Sequence, residues 1–154
     1  MENIGIAINP SKDKDNRILN MVINKIRDVF KIKAVKVFNS YDLEKKNLKN
    51  IELLIVLGGD GTILSVARSV GEEFNGILFG INIGNLGFLS SIEISDINVA
   101  LRKIKNNEYK IQERMMIQCV GGFKEIIECG LICHKELKNI KGCKDIYNLS
   151  LIHI

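Results

Sequence analysis

The sequence of 154 residues contains no long apolar run and only one proline. A membrane-spanning helix needs about 18 or more consecutive apolar residues, so no membrane span is predicted. The first residues, 1–4, lack the basic head and long apolar centre of a secretory signal peptide. We therefore expect a cytoplasmic protein that has no membrane partner.

Clustered positive charge is also missing. The chain carries 22 basic and 18 acidic residues, and its basic residues are dispersed rather than gathered in a stripe. Dispersed charge of this kind argues against nucleic acid as a partner. At 46% hydrophobic and 26% charged residues, the composition is that of an ordinary globular domain.

Cysteines are absent from the first 118 residues, and the four that are present lie further on. They are Cys119, Cys129, Cys133 and Cys143. The spacing of Cys129, Cys133 and His134 does not match a zinc-binding signature. We expect reduced cysteines and no metal ion held by side chains of this chain.

Apolar patterns divide the chain into alternating strands and helices. Strands are predicted at 3–9, 34–38, 53–57 and 77–81, and helices at 13–30, at 62–70 and from Asp96 onward. Such alternation is typical of an α/β fold. We predict a Rossmann-like, mostly parallel, doubly wound domain.

The pattern changes near residue 114. Residues 1–113 are predicted to form the α/β nucleotide-binding domain, and residues 114–154 the beginning of an all-β second domain with a hairpin turn at 121–122. About 40 residues are too few for an independent core. We expect the second domain to be incomplete and the chain to be a fragment.

One stretch combines a buried strand with a glycine-rich turn. The apolar residues 53–57 run directly into Gly58, Gly59, Asp60, Gly61 and Thr62. A strand that feeds such a turn and then a helix presents backbone N–H groups to phosphate. The turn has neither the lysine of a Walker loop nor the spacing of a dinucleotide fingerprint. Thr62 is predicted to cap the following helix and to leave its hydroxyl near the phosphates.

Asp60 has two interpretations at this level. A carboxylate among phosphates repels them, which suggests a general base that takes the proton of an attacking hydroxyl. Aspartate is equally a favoured residue for capping a helix N-terminus. Spacing alone leaves these two alternatives open.

A second glycine-rich loop follows the fourth predicted strand and should lie beside the first. It carries Asn82 and Asn85, whose amide side chains could hydrogen-bond a ligand, and Gly84 between them. Phe88 could stack on a flat ring. The alternative is that Phe88 is a core residue.

These residues resemble the NAD kinase family, whose members depend on ATP or polyphosphate. The resemblance rests on 58–64 and 80–89, supported by Asn9-Pro10 and by 113–116. The first motif is shared with diacylglycerol and sphingosine kinases, and the second is more specific. Those lipid kinases usually have a polar Asn-Glu pair where this chain has Ile63-Leu64.

The resemblance implies that ATP phosphorylates the ribose 2′-hydroxyl of NAD to give NADP. Asp60 would be the proton acceptor, Gly61 would belong to the NAD-binding turn, and Asn82 and Phe88 would line the NAD pocket. Mg²⁺ would arrive with the nucleotide, and subunits would assemble into a homo-oligomer. A lipid kinase and a non-catalytic nucleotide-binding module are the alternatives.

The resemblance weakens downstream. The family's second domain contributes an Asn-Glu or Asn-Asp pair to the ribose, and the corresponding residues here are Glu128-Cys129. The Gly-Ser-Thr-Ala stretch of the family does not appear before Ile154. No ligand is therefore assigned in the second domain, and we leave open whether the fragment is active.

Overall fold

The computed structural model describes residues 1–71, 74–84, 87–119 and 143–153. Within these ranges the chain forms one sheet with helices on both faces. The strands are β1 (Ile4–Ile8), β2 (Lys36–Asn39), β3 (Leu53–Gly58), β4 (Ile77–Asn82), β5 (Ile92–Glu93), β6 (Lys110–Cys119) and β7 (Cys143–His153). The helices are α1 (Arg17–Phe30), α2 (Asp60–Val70) and α3 (Ile97–Lys105), with short 3-10 turns at Pro10–Lys12, Lys45–Leu48 and Ile94–Asp96.

The strand order is β2-β1-β3-β4-β7-β6, and β5 pairs with the end of β4. Every pair is parallel except β6 with β7, which is antiparallel. The predicted α/β class with a mostly parallel sheet is confirmed. The chain moves from β1 outward to β2 and then returns to place β3 on the other side of β1. This reversal creates the crevice at which open α/β sheets bind ligands.

Strand β3 lies at the centre because both of its faces are apolar. Leu53, Ile55 and Leu57 pack in the cluster that contains α1 and α3. Leu54 and Val56 pack in the cluster that contains α2. Full burial of such a side chain contributes about 1.5–3 kcal/mol, so β3 is a rigid support for the turn that follows it.

Helix α1 begins at Arg17, four residues later than predicted. Asp13 lies ahead of the helix, and its carboxylate accepts the N–H groups of Ile18 at 3.1 Å and Leu19 at 2.8 Å. Asn16 takes a left-handed conformation with φ of 56°. Asp13 therefore satisfies first-turn donors from outside the helix, whereas the sequence pattern placed it within.

Other boundaries differ less. Gly71 ends α2 as predicted, with φ of 62° and its N–H donating to Ala67 O at 3.2 Å. β2 covers 36–39 rather than 34–38. The predicted domain division at residue 114 falls within β6, which joins the sheet through β7. That division remains a prediction, and the predicted turn at 121–122 lies outside the described residues.

The side chain of Glu52, just before β3, binds the backbone of the residues that precede β1. Its Oε2 accepts the N–H groups of Asn3 at 3.0 Å and Glu2 at 2.7 Å. These two hydrogen bonds, with that of Asn3 first, lower the pKa of Glu52 below its ordinary value. A lowered pKa in the folded state means that ionised Glu52 stabilises the fold above its unfolded-state pKa. The contribution disappears as the pH falls through the folded-state pKa.

We therefore expect Glu52→Gln to be less stable than the parent at pH 7 and to lose less stability on acidification. Urea unfolding at pH 7 and at pH 3 measures both quantities. Glu108→Gln is the control, because Glu108 is exposed and its carboxylate accepts a hydrogen bond from the exposed Asn106 side chain rather than from backbone N–H groups. Equal pH dependence in the parent and in Glu52→Gln would contradict the assignment.

Candidate functional site

Three adjacent strands end at the same edge of the sheet. β1 and β3 are in register at Ile8 and Leu57, and β3 and β4 are in register at Gly58 and Asn82. The segments that follow these strands therefore lie side by side. They surround an open cleft of about 470 Å³. The cleft is lined by Asn9, Lys12, Tyr41, Gly59, Asp60, Gly61, Thr62 and Gly87.

The amino-terminal end of α2 borders this cleft. Gly59 is the N-cap residue, and its carbonyl accepts the N–H groups of Thr62 at 2.9 Å and Ile63 at 3.1 Å. The N–H groups of Asp60 and Gly61 come earlier in the chain than these first intrahelical donors, so they have no acceptor within the helix. They lie at the positive end of the helix dipole. The helix end is thus suited to an anion, as the sequence indicated.

Thr62 does not cap α2, so this part of the prediction is wrong. The helix begins two residues earlier, Gly59 is extended, and no side chain makes a capping hydrogen bond there. Thr62 is the third helical residue and only 8% exposed. Its side chain lies against Gly58, where an added Cβ would collide with it. Contact of Thr62 with phosphate remains a prediction.

Asp60 joins the two glycine-rich loops. Its Oδ2 accepts the N–H of Phe88 at 2.7 Å, and its Oδ1 accepts the N–H of Leu89 at 3.0 Å. Gly87 runs so close that an added Cβ would collide with this carboxylate. Asp60 is the first residue of α2 rather than its cap. A carboxylate has about four lone-pair sites, so two acceptor positions remain for a ligand hydroxyl.

Asn82 ends β4 and is buried, with 3% exposure. Its Oδ1 accepts the N–H of Gly84 at 3.0 Å, which shapes the start of the second loop. Its Nδ2 has no hydrogen-bond partner among the described residues. Leaving a buried donor without an acceptor costs about 1–3 kcal/mol of stability. A ligand atom that accepts a hydrogen bond from Nδ2 would remove this cost. Asn85 lies outside the described residues.

Phe88 is 98% exposed, so the alternative that it is a core residue is wrong. Its backbone is held through the hydrogen bond to Asp60, whereas its ring is free to contact a ligand. The predicted stacking role stays open to test.

Lys12 and Tyr41 are cleft residues that the sequence interpretation missed. Lys12 follows β1, and Tyr41 follows β2 and is 64% exposed. The one sequence feature that could have identified them is their position, because both residues come just after a strand of the parallel sheet. A lysine or tyrosine in a polar loop gives no further pattern that separates it from an ordinary surface residue.

The described parts of the chain show no group of three or more histidine, cysteine, aspartate or glutamate side chains placed to hold a metal ion. In the same ranges, no helix combines the length and the apolar character that crossing a membrane requires.

The sheet, the helix end and the two loops define a doubly wound α/β domain with a cleft at the carboxyl edge of the sheet, the edge at which such domains bind ligands. A family model described as the ATP-NAD kinase N-terminal domain matches residues 2–109. The chain therefore belongs to the NAD kinase family.

Known proteins agree with this assignment. An NAD kinase of Clostridium beijerinckii is 62% identical over 119 residues, which are 77% of this chain and 42% of that protein. An NAD kinase from Archaeoglobus fulgidus, solved in complex with ATP, has a TM-score of 0.56 at 21% identity and covers 76% of this chain and 42% of its own.

A putative diacylglycerol kinase from Bacillus anthracis str. Sterne has the same TM-score of 0.56, at 19% identity, over 75% of this chain and 45% of its own. These two structural likenesses show the fold alone, and it is the sequence match that separates the families. The chain spans less than half the length of the curated relatives it matches, with 42% and 48% for two of them.

Proposed function

We propose that this chain forms the nucleotide-binding part of an NAD kinase, which transfers a phosphoryl group from ATP to the ribose 2′-hydroxyl of NAD. Family membership supports the reaction class. The observation that carries the proposal is the position of Asp60. Its carboxylate lies in the cleft between the two glycine-rich loops, and the hydrogen bonds of both its oxygens fix its direction.

In the proposed reaction Asp60 acts as a general base. A ribose hydroxyl is a poor nucleophile, and a placed carboxylate removes its proton as the new oxygen–phosphorus bond forms. The bond from the γ-phosphorus to the bridging oxygen breaks, and ADP leaves with that electron pair. The N–H groups of Phe88 and Leu89 would keep the carboxylate oriented throughout.

Neighbouring groups would bind the substrates. The N–H groups of Asp60 and Gly61 suit phosphate oxygens. Gly59 and Gly84 leave room beside the backbone, Asn82 would donate its free Nδ2–H, and Phe88 would stack on a flat ring of NAD. The space beside Gly58 is taken by the Thr62 side chain, so Gly58 would contribute by placing the turn. Thr62 and Asn85 are proposed as further binding residues because their hydroxyl and amide groups can hydrogen-bond a ligand.

The family implies a divalent metal ion, with Mg²⁺ the expected one. Asp60 is the one carboxylate that lines the cleft among the described residues, and each of its oxygens already accepts an N–H. A single engaged carboxylate fits a metal ion that the nucleotide phosphates carry. Such an ion would neutralise charge on the transferred group. A cytoplasmic location and a homo-oligomer are proposed on the resemblance.

The proposal is tested by supplying the purified protein with ATP, Mg²⁺ and NAD and measuring NADP with an NADP-specific dehydrogenase. The assay uses the chain alone and the chain fused to the part of the Clostridium beijerinckii enzyme that it does not match. A parallel reaction offers diacylglycerol and measures phosphatidic acid. NADP in either form supports the proposal. Phosphatidic acid would favour the lipid kinase, and ATP binding without either product would favour the non-catalytic module.

A further inference from the structure

Lys12 places a positive charge above both glycine-rich loops. A Cβ built on Gly59 would lie 3.3 Å from Lys12 Nζ, and one built on Gly84 would lie 3.1 Å from the same atom. The ammonium group thus occupies the space that side chains would fill at these two positions. Because Gly59 follows β3 and Gly84 follows β4, Lys12 brings a charged group from the end of β1 to the ends of β3 and of the next strand, β4.

The backbone that carries Lys12 is held in place. Asn9 is buried, and its Oδ1 accepts the N–H of Ser11 at 3.0 Å and the hydroxyl of Ser11 at 2.6 Å. The N–H of Lys12 donates to Asn9 O at 3.1 Å, which closes a 3-10 turn that begins at Pro10. This turn fixes the direction from which the lysine side chain enters the cleft.

The ammonium group of Lys12 has no partner among the described residues. Lys25 Nζ, by contrast, donates to Asn98 Oδ1 at 2.7 Å, and Lys105 Nζ donates to Val29 O at 2.8 Å. No carboxylate of the described residues, including that of Asp60, lies within 4.0 Å of Lys12 Nζ. Three donors of a full positive charge therefore face the cleft unused.

We propose that Lys12 binds the phosphate chain of the phosphoryl donor and holds it over the Gly59 and Gly84 backbones beside Asp60. This inference rests on the proposed kinase function. The hydroxyl that Asp60 deprotonates must face the phosphorus atom under attack, so a cation over the same loops acts on the donor phosphates. Phosphoryl transfer depends chiefly on positioning and on charge stabilisation, and lysine is a compact phosphate-binding charge.

The proposal is tested by calorimetric titration of the chain with ATP, inorganic tripolyphosphate, adenosine and NAD. Lys12→Met should weaken binding of ATP and of tripolyphosphate about tenfold or more, the range for a hydrogen bond between charged groups. Lys12→Arg keeps the positive charge but replaces the compact ammonium with a planar guanidinium, so its affinity for ATP and tripolyphosphate should lie between those of the parent and of Lys12→Met. Adenosine and NAD should bind Lys12→Met as they bind the parent.

Lys14→Met is the matched control, since Lys14 is exposed, carries the same charge and does not line the cleft. It should change ATP affinity less than about twofold, because an exposed charge outside the cleft contributes little to binding. Equal losses in Lys12→Met and Lys14→Met would overturn the proposal, as would a loss confined to NAD or no binding of tripolyphosphate by the parent. Thermal unfolding of Lys12→Met should match the parent.

Kinetics separate this inference from the proposed function. In the form that makes NADP, Lys12→Met should raise KM for ATP or lower kcat while KM for NAD stays unchanged. Parent-like NADP formation by Lys12→Met would overturn the role of Lys12 and leave the kinase assignment intact. Lys12-dependent binding of tripolyphosphate without NADP from either form of the parent would contradict the kinase function and support the phosphate site.

Discussion

Replacing Asp60 with asparagine is expected to lower the rate of NADP formation by about 10²- to 10⁴-fold, the usual contribution of a general base. The amide has nearly the shape of the carboxylate but cannot accept the proton of the ribose hydroxyl. ATP affinity should change far less than the rate, because the N–H groups of the α2 amino terminus remain. The measurement is kcat for NADP formation beside the dissociation constant for ATP.

The hydrogen bonds of Asp60 add a second expected effect of this substitution, a change in stability. An asparagine oxygen can still accept one of the N–H groups of Phe88 and Leu89, whereas its NH₂ faces the other one. A loss of one such bond costs about 1 kcal/mol, so a modest decrease in stability should accompany the loss of rate. Asp28→Asn, at an exposed position of α1, is the control for a change of one charge.

Two outcomes would contradict the general-base role. Unchanged turnover in Asp60→Asn would show that another group takes the proton. Parallel losses of turnover and ATP affinity, together with a large drop in stability, would show that Asp60 acts only by holding the second loop against the first.

Much of the fold follows from apolar periodicity. The uninterrupted run in β3 predicts burial on both faces, and the two core clusters confirm it. The start of α2 was misplaced because Gly59, Asp60 and Gly61 have low intrinsic helix propensity and read as a turn. Tight packing overrides that preference, since Gly58 lets Thr62 and the first helical turn lie directly against the end of the strand.

The sequence predicts which residues form much of the site, but it does not predict how those residues contact one another. Asp60 and the second loop are recognisable from motif and strand position alone. The hydrogen bonds from Phe88 and Leu89 join residues 28 and 29 positions apart, and they exist only because β3 and β4 pair in a particular register. Lys12 had no motif of its own, and its position over Gly59 and Gly84 emerges only after folding.

Gly58→Ala should be strongly destabilising, whereas Gly61→Ala in the same motif should not. A Cβ on Gly58 would collide with the side chain of Thr62, including a contact of 2.7 Å with its Cγ2. Because Thr62 Cβ is fixed to the backbone of α2, relief requires the helix to move away from β3. Overpacking of this kind costs about 1–3 kcal/mol, and a domain of this size loses about 2–4 °C in Tm per kcal/mol.

The matched substitution, Gly61→Ala, should change stability in the opposite direction. A Cβ on Gly61 would meet nothing within 4 Å, and Gly61 is a helical residue. Alanine there reduces the freedom of the unfolded chain and should stabilise the fold by about 0.4–1 kcal/mol. Urea unfolding of the two variants checks both signs, and equal stabilities would contradict the packing at Gly58. If α2 is displaced in Gly58→Ala, Asp60 moves with it, so that variant should also lose NADP formation.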